Sequence, residues 1–592
     1  MLDLRLYRVT LLPFAIVVIV AAFSLHPRPT PLAATLPQQT FDPARVAQTI
    51  AAFAAKYPDR TPGSPSDDAL AAAIATTSVT SLPAGLAGAG FHLTTVRANI
   101  ETTTGARTVE TVVATRAGTG PGVALIADRG SSQQGSAAAL SGTATLLELA
   151  ATYKNLSRAG FLRPLTLVST SGGASAMGAV ATALPAGTEA AIVLGDVADA
   201  SGRGPYVVPW SGAGAVAPIA LRLTMAGAIA AALGSTAGDV SIADQLARLA
   251  LPLTTGPQGP LEGAGIPAVV VTADGESGPS SGPPNLSRIN GFGQGLLGAT
   301  LALGGGPDLP TAPTRDLAIG TQVLGGWGVR AAVGLLLLSL IGCTLDVLAR
   351  ARRRRAAVAR WVGWVLSFAV PFVLAGLFAA FLGAGGLLPA TPAAPVTPTE
   401  LPVSAAGIAV LVSVGLLFIL AWVLRAAVRA RVGEKGPPES VGAGAALLVI
   451  GTATAALVWL ANPYTAVLLI LPLHLWLVVM TREYHRPPLV GAAYLLVSLA
   501  PLGAVIALLC IGLHVEPLAL LWTLLLMIAG GALSPSGLLL ASLTAGCFVA
   551  AAAILLRPGT LRGTEQLDVT VRGPLSYAGP GSLGGTESAL RR

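Results

Sequence analysis

Gly172-Gly173-Ala174-Ser175 follows an apolar, strand-like run, RPLTLVST, and opens a stretch of small residues with helical character. Where a strand ends in a turn, backbone N–H groups and a few side chains converge, and the types of those side chains decide the chemistry. Ser175, in GGASAMG, is a near miss to the G-x-S-x-G elbow of serine hydrolases, which also needs a base. His92 is the candidate base, but it stands in GFHLTTVRANI, a strand-like segment that reads as surface or half-buried. Metal chemistry is poorly supplied. Cys343, Cys510 and Cys547 all fall in apolar stretches, with no C-x-x-C spacing and no disulfide framework. GFGQGLLGA (Gly291 to Ala299) has the glycine spacing of a dinucleotide loop. It begins a helix without the strand and acidic partner that such a loop needs, so it reads as helix packing.

These residues need elements to hold them. The chain has 592 residues, of which 53% are hydrophobic and 11% charged, which makes a membrane protein the leading class. Short apolar runs of strand length punctuate residues 26–325: TVETVVATRA, GVALIAD, LTLVST, AAIVLGD and IPAVVVTAD. Helical stretches such as SGTATLLELAATYKNL and ADQLARLAL lie between them. The alternation predicts an α/β domain with a mixed, mainly parallel sheet and helices on both faces. Asp67 and Asp68, just ahead of ALAAAIA, read as favourable charges at a helix N-terminus.

A first apolar segment, 9–25, follows Arg5 and Arg8 and reads as an uncleaved anchor behind a cytoplasmic N-terminus, 1–8. After a Pro/Gly linker, apolar stretches run at 326–349, 361–385, 402–424, 441–461, 464–480, 489–512, 516–533 and 536–556, a membrane domain of 326–556. Each is near the ~20 residues a span requires, and with the first they make about nine. The loop RARRRRAAVAR (Arg350 to Arg360) carries no acid, whereas LLPATPAAPVTPTELPV carries no Lys or Arg. The positive-inside rule then sets the basic loops in the cytoplasm and the α/β domain outside, with the plasma membrane as the expected site. The same placement explains the net charge of +8 without nucleic-acid binding. Nine spans put the tail, 557–592, outside, yet its Arg557, Arg562 and Arg572 favour the inside; its Gly/Ser-rich end reads as disordered. Asp346 stands four residues before Arg350, the spacing of a helical ion pair. His474, in LPLHLWLV, is the deepest ionisable group and a functional candidate by position.

Residues 45–305 resemble metallopeptidase family 28, the co-catalytic zinc aminopeptidases and glutamate carboxypeptidases. The resemblance rests on RTPGSPSDDALAAAI, PGVALIADRGSSQQGSAAALSGTATLLELA, RPLTLVSTSGGASAMGA, AAIVLGDV and GAGIPAVVV, in that order. It implies two zinc ions held by nitrogen and oxygen ligands, with a bridging carboxylate and a glutamate as general base. Position by position the implied groups are missing. IADRGS offers Asp128 but no histidine. Ala138 stands where the bridging Asp belongs, while Gly135, Ser141 and Gly142 of the framework remain. Ala174 takes the place of the general base and Ser175 that of the next ligand; Asp196 is shifted by about one position from its counterpart, and SGPSSGPPN lacks the late histidine. Glu148 has a counterpart on the helix after the bridging Asp and reads as structural. Independently of alignment, residues 26–325 hold two histidines, His26 and His92, and His26 adjoins the first span.

The arrangement of anchor, peptidase-like domain and further spans is also similar to the endoplasmic-reticulum metallopeptidase, the vacuolar membrane protease and the peptidase-like subunit of the GPI transamidase. The reading is therefore a degenerate, non-catalytic peptidase-like protein of the cell envelope. It needs no cofactor, sits in the lipid bilayer, and binds or scaffolds a protein or peptide partner. Two alternatives stay open: a membrane-bound peptidase or hydrolase with a non-standard site, and a transporter or lipid-handling membrane protein.

Overall fold

A computed structural model describes residues 11–34, 40–76, 85–102, 105–131, 137–156, 163–199, 204–235, 240–276, 283–310, 312–388, 401–431, 441–480 and 488–556. The expected N-terminal segment 1–8 and tail 557–592 lie outside these residues, as does Gly135. The described chain opens with helix α1 (Leu11–Ser24), strand β1 (Leu25–Pro27), and helices α2 (Pro43–Lys56) and α3 (Pro65–Thr76). Strands β2 (His92–Thr102), β3 (Gly105–Arg116) and β4 (Gly122–Asp128) precede α4 (Ser141–Leu156). There follow β5 (Leu165–Thr170), α5 (Met177–Ala183), β6 (Thr188–Leu194), β7 (Tyr206–Val208), α6 (Ile219–Leu233), α7 (Ile242–Ala250), α8 (Gln258–Gly263), β8 (Ala268–Thr272) and α9 (Leu286–Gly305). Two short strands, β9 (Leu317–Ile319) and β10 (Gln322–Leu324), lead into helices α10 (Gly326–Arg353), α11 (Val358–Ser367), α12 (Val370–Ala384), α13 (Ala405–Arg431), α14 (Val441–Ala461), α15 (Pro463–Met480), α16 (Pro488–Leu513), α17 (Pro517–Ala529) and α18 (Pro535–Leu555).

Seven strands form one sheet in the order β2-β3-β5-β4-β6-β8-β7. The expectation of a mainly parallel sheet is corrected to a mixed one. The β4–β5, β4–β6 and β6–β8 pairs are parallel, whereas β2–β3, β3–β5 and β7–β8 are antiparallel. The reason is local: strand–helix alternation begins at β4, whereas β2 and β3 succeed each other without a helix and pair as a hairpin.

Side chains alternate across the strands, so each strand feeds two cores. Val112, Val123, Leu125, Leu167, Ile192 and Val269 pack on one face against α2, α3, α4, α6 and α9. Val113, Ala124, Ile126, Val168, Val193 and Val270 face the other way, and their cluster runs through α5, α7 and α8 into α10, α14 and α15 without a break. The glycines of GFGQGLLGA lie in α9, where a Cβ on Gly291, Gly293 or Gly295 would press on Leu233, Phe41 or Ile229, as helix packing requires.

A second, three-stranded sheet pairs β1 with β10 and β10 with β9. The chain therefore enters and leaves the α/β domain side by side, between α1 and α10, whose Gly328 lies against Ser24.

Among the described residues, seven helices are long and apolar enough to cross a membrane, compatible with an integral membrane protein. Six of the expected spans match single long helices, and the seventh, 361–385, is α11 and α12 in sequence. The stretch 516–533 departs from expectation. It yields α17, 13 residues long, or ~20 Å at 1.5 Å per residue, too short to span. Glu516 and Pro517 start it, and Gly530 with Gly531 (φ +75°) stops it. Both its ends lie at the α/β domain. His514, just before it, meets Tyr206 of β7 with ring centroids 6.3 Å apart, and Met527 and Ala532 line a cavity shared with Ala174 and Ser175. Asp346 and Arg350 form the expected ion pair at 2.7 Å.

Candidate functional site

Ligands of α/β sheets bind outside the carboxyl ends of the parallel strands, where the connecting turns converge. Here β4 ends on Asp128, β5 runs into Ser171-Gly172-Gly173, and β6 is followed by Asp196. The turn after β5 has Gly172 at φ +106° and Gly173 at φ +57°, in the left-handed region that favours glycine. Asp128 holds this turn: its Oδ2 accepts the Gly173 N–H at 2.6 Å and its Oδ1 the Gly130 N–H at 2.8 Å. The Asp128 carbonyl accepts the Thr143 hydroxyl at 3.1 Å, tying in the start of α4. Burial pushes the Asp128 carboxyl from 3.8 up to about 6, against the two N–H bonds, which lower it. A raised folded-state value stabilises the fold fully below the unfolded value near 3.8, and that contribution is lost as pH rises through about 6. Asp128→Asn is expected to flatten the unfolding midpoint between pH 4 and 7 and to cost about 1–3 kcal/mol for one unmatched N–H. Thermal melts across that range check both.

Beneath the turn lies an ion pair that the sequence did not reveal. Asp67 is more than a helix-terminal charge. It is fully buried, with its Oδ1 2.8 Å from Nε of the equally buried Arg129. Its Oδ2 accepts the Gly63 N–H at 3.1 Å. Arg129 also donates to the carbonyls of Ser169 at 3.1 Å and Glu110 at 2.6 Å. Glu148 pairs with Arg45 at 3.4 Å, consistent with its structural reading.

The positions singled out by resemblance come together only in part. Ser141, the first residue of α4, donates its hydroxyl to Asp196 Oδ1 at 2.9 Å, and that same oxygen accepts the Ala198 N–H at 2.9 Å. Burial pushes the Asp196 carboxyl up, and nearby Asp199 adds to the rise. Gly142 permits this closure, since a Cβ there would sit 2.6 Å from the Leu194 carbonyl oxygen. Ala138 is buried in the turn before α4 and offers no donor atom. Two-zinc chemistry does not fit these groups: methyl side chains cannot ligate, and among the described residues no three His, Cys, Asp or Glu are grouped to hold a metal.

Ala174 and Ser175, in the single turn Gly173–Ala176, are half-buried and line a cavity of about 640 Å³. Its other walls are the end of β2 (Asn99 to Glu101), the small residues around α8, Met527 of α17 and Ala532 just beyond it. His92 does not reach it. The two-residue-per-repeat rise of ~3.3 Å per residue puts His92 ~23 Å along β2 from Asn99, and its side chain is exposed. His92, the base that the sequence offers for Ser175, is therefore not beside it. His26 lies in the small sheet, on β1. His474 bonds through Nδ1 to the Ile470 carbonyl of its own helix at 2.8 Å, next to the internal Pro472.

No family model and no curated protein matches the chain. Solved structures that it resembles include glutaminyl cyclase from Fimbriiglobus ruber, at 15% identity and TM-score 0.31, covering 45% of this chain and 98% of that one. A zinc aminopeptidase from Bacillus subtilis matches at 11% identity and TM-score 0.35, covering 45% and 96%. LapB from Legionella pneumophila matches at 15% identity and TM-score 0.35, covering 47% and 79%. Among the described residues the chain combines a mixed α/β domain with seven helices long and apolar enough to cross a membrane.

Proposed function

We propose that the chain is a plasma-membrane protein whose extracytoplasmic α/β domain binds or scaffolds a protein or peptide partner and cleaves nothing. One observation carries this reading: the turn after β5 presents Ala174 and Ser175, neither an acid nor a metal ligand, to a cavity that His92 does not reach. The orientation rests on the basic run Arg350 to Arg355 at the end of α10 and on α17. With the 13-residue α17 not counted as a crossing, the expected anchor 9–25 and the seven longer helices make eight, which assigns the tail with Arg557, Arg562 and Arg572 to the cytoplasm beside the other basic loops. The scaffold division is residues 26–325 outside and 326–556 in the membrane.

The purified full-length protein is expected to carry less than about 0.1 zinc per chain by elemental analysis, because the ligand set a zinc site requires is missing. It is expected to show no chelator-sensitive aminopeptidase activity. Two zinc equivalents with activity abolished by chelator would falsify the binding reading and leave the membrane-bound hydrolase in its place.

A further inference from the structure

The cavity beside Ser175 is bounded partly by the α/β domain and partly by the membrane half, and its walls say what enters it. On α17, Leu518, Leu521 and Leu524 are 53%, 54% and 43% exposed, on the face turned away from the protein. Leu520 is buried against Ala247 and Leu253, and Trp522, Leu525 and Leu526 are buried against α12 and α13. Exposed leucines at this spacing on a membrane protein lie against acyl chains. The same helix delivers Met527 to the cavity wall, and Ala532 follows it, so the cavity adjoins the level at which α17 meets lipid.

The lining matches an apolar chain. Among the described residues no Lys or Arg lines it, and the one ionisable residue, Glu101, is exposed. A peptide carboxylate or a phosphate would meet no cation among them. Ile100, Ala174, Gly178, Ala179, Pro260 and Met527 offer instead an apolar surface. The volume of about 640 Å³ falls within the ~300–1,000 Å³ of small-molecule sites.

We propose that this cavity holds an acyl chain of a membrane lipid, entering between α17 and the turn after β5. The assignment rests on the non-catalytic reading above and gives the cavity itself a lipid occupant, leaving the protein or peptide partner to the rest of the domain surface. It requires no covalent step.

Gly178 gives the test its handle. It lines the cavity, and a Cβ built there meets nothing within 4 Å, so a side chain added there starts into open space. The full chain would be reconstituted in phosphatidylcholine vesicles doped with a phospholipid carrying a diazirine in its acyl chain, then illuminated, digested and mapped by mass spectrometry. Adducts are expected within 174–179 or 527–532, and Gly178→Phe should reduce them at least tenfold. Adducts on the exposed Leu416, Ile419 and Val423 of α13 should stay unchanged and serve as the internal standard. Ala532→Phe closes the cavity from the membrane side and is read alongside, so that a folding failure of one variant leaves the other decisive. Wild-type adducts confined to α13 and similar faces, or cavity adducts undiminished in both variants, overturn the lipid assignment; a hydrophobic peptide as occupant gives the first of these patterns. Such a result in a zinc-free, inactive protein removes the lipid alone, whereas zinc with activity removes the binding reading itself.

Discussion

Asp67→Ala is expected to lower the unfolding free energy of the α/β domain by about 3–5 kcal/mol, the cost of stranding one partner of a buried ion pair. The remaining guanidinium of Arg129 would keep its bonds to the Ser169 and Glu110 carbonyls but lose its counter-charge in a site with no solvent exposure. Domains are typically stable by only about 5–15 kcal/mol, so a loss of this size shows as a large drop in melting temperature. It also reaches the turn, because Arg129 directly follows Asp128, whose carboxylate holds Gly130 and Gly173 in place. Denaturant titration of the purified protein measures the loss. Combining Asp67→Leu with Arg129→Met should recover part of it, since a volume-matched apolar pair leaves no orphaned charge. A loss below about 1 kcal/mol for Asp67→Ala would mean that the pair behaves as a solvated one.

Much of the architecture is legible in the sequence. GVALIAD, LTLVST and IPAVVVTAD became β4, β5 and β8 because a short β-branched run bounded by turn residues has few other stable uses. SGTATLLELAATYKNL became α4 with the same ends. That Ala138 and Ala174 carry no side-chain donor atom is legible from residue type alone. What stayed hidden depends on contacts between distant residues. Asp67 and Arg129 are 62 residues apart, and nothing local distinguishes a buried Asp at a helix start from a solvated one. Asp196 looked like a displaced metal ligand, and its bond to Ser141 shows it as a brace between β6 and α4. The misreading of 516–533 has a different cause. Hydropathy integrates over a window, so it carried the apolar stretch through Gly530-Gly531, although a glycine pair there is the stop signal that ends α17.

The junction between the α/β domain and the helices was the least legible feature, and the second large effect is expected there. Arg248→Ala should destabilise the detergent-solubilised protein by about 3–5 kcal/mol, because it leaves Glu276 buried without its cation. The pair is 2.6 Å apart, at 8% and 3% exposure. Arg248 also donates to the Leu253 carbonyl at 2.7 Å, and Glu276 accepts the Thr254 hydroxyl and, at 3.3 Å, the Thr255 N–H. The guanidinium lies under the last turn of α16, 3.3 Å from the point where a Cβ on Gly512 would stand. A cation at a helix C-terminus meets the negative end of the helix dipole, which adds a second attraction. Around it, Asn462 donates to the Leu249 carbonyl at 2.7 Å and Thr465 to the Ala250 carbonyl at 2.6 Å, so α7 is fastened to α14 and α15 as well. Removing the arginine should therefore loosen the domain from the bundle as well as destabilise it. Hydrogen exchange should rise in α7 and at the end of α16, while β4 and β5, paired on both sides within the sheet, keep their protection. Arg248→Lys keeps the charge but not the planar fork and should fall between wild type and alanine. Equal exchange in α7 for wild type and Arg248→Ala would show that the apolar contacts of Ala247 and Leu253 with Leu509 and Leu513 hold the junction by themselves.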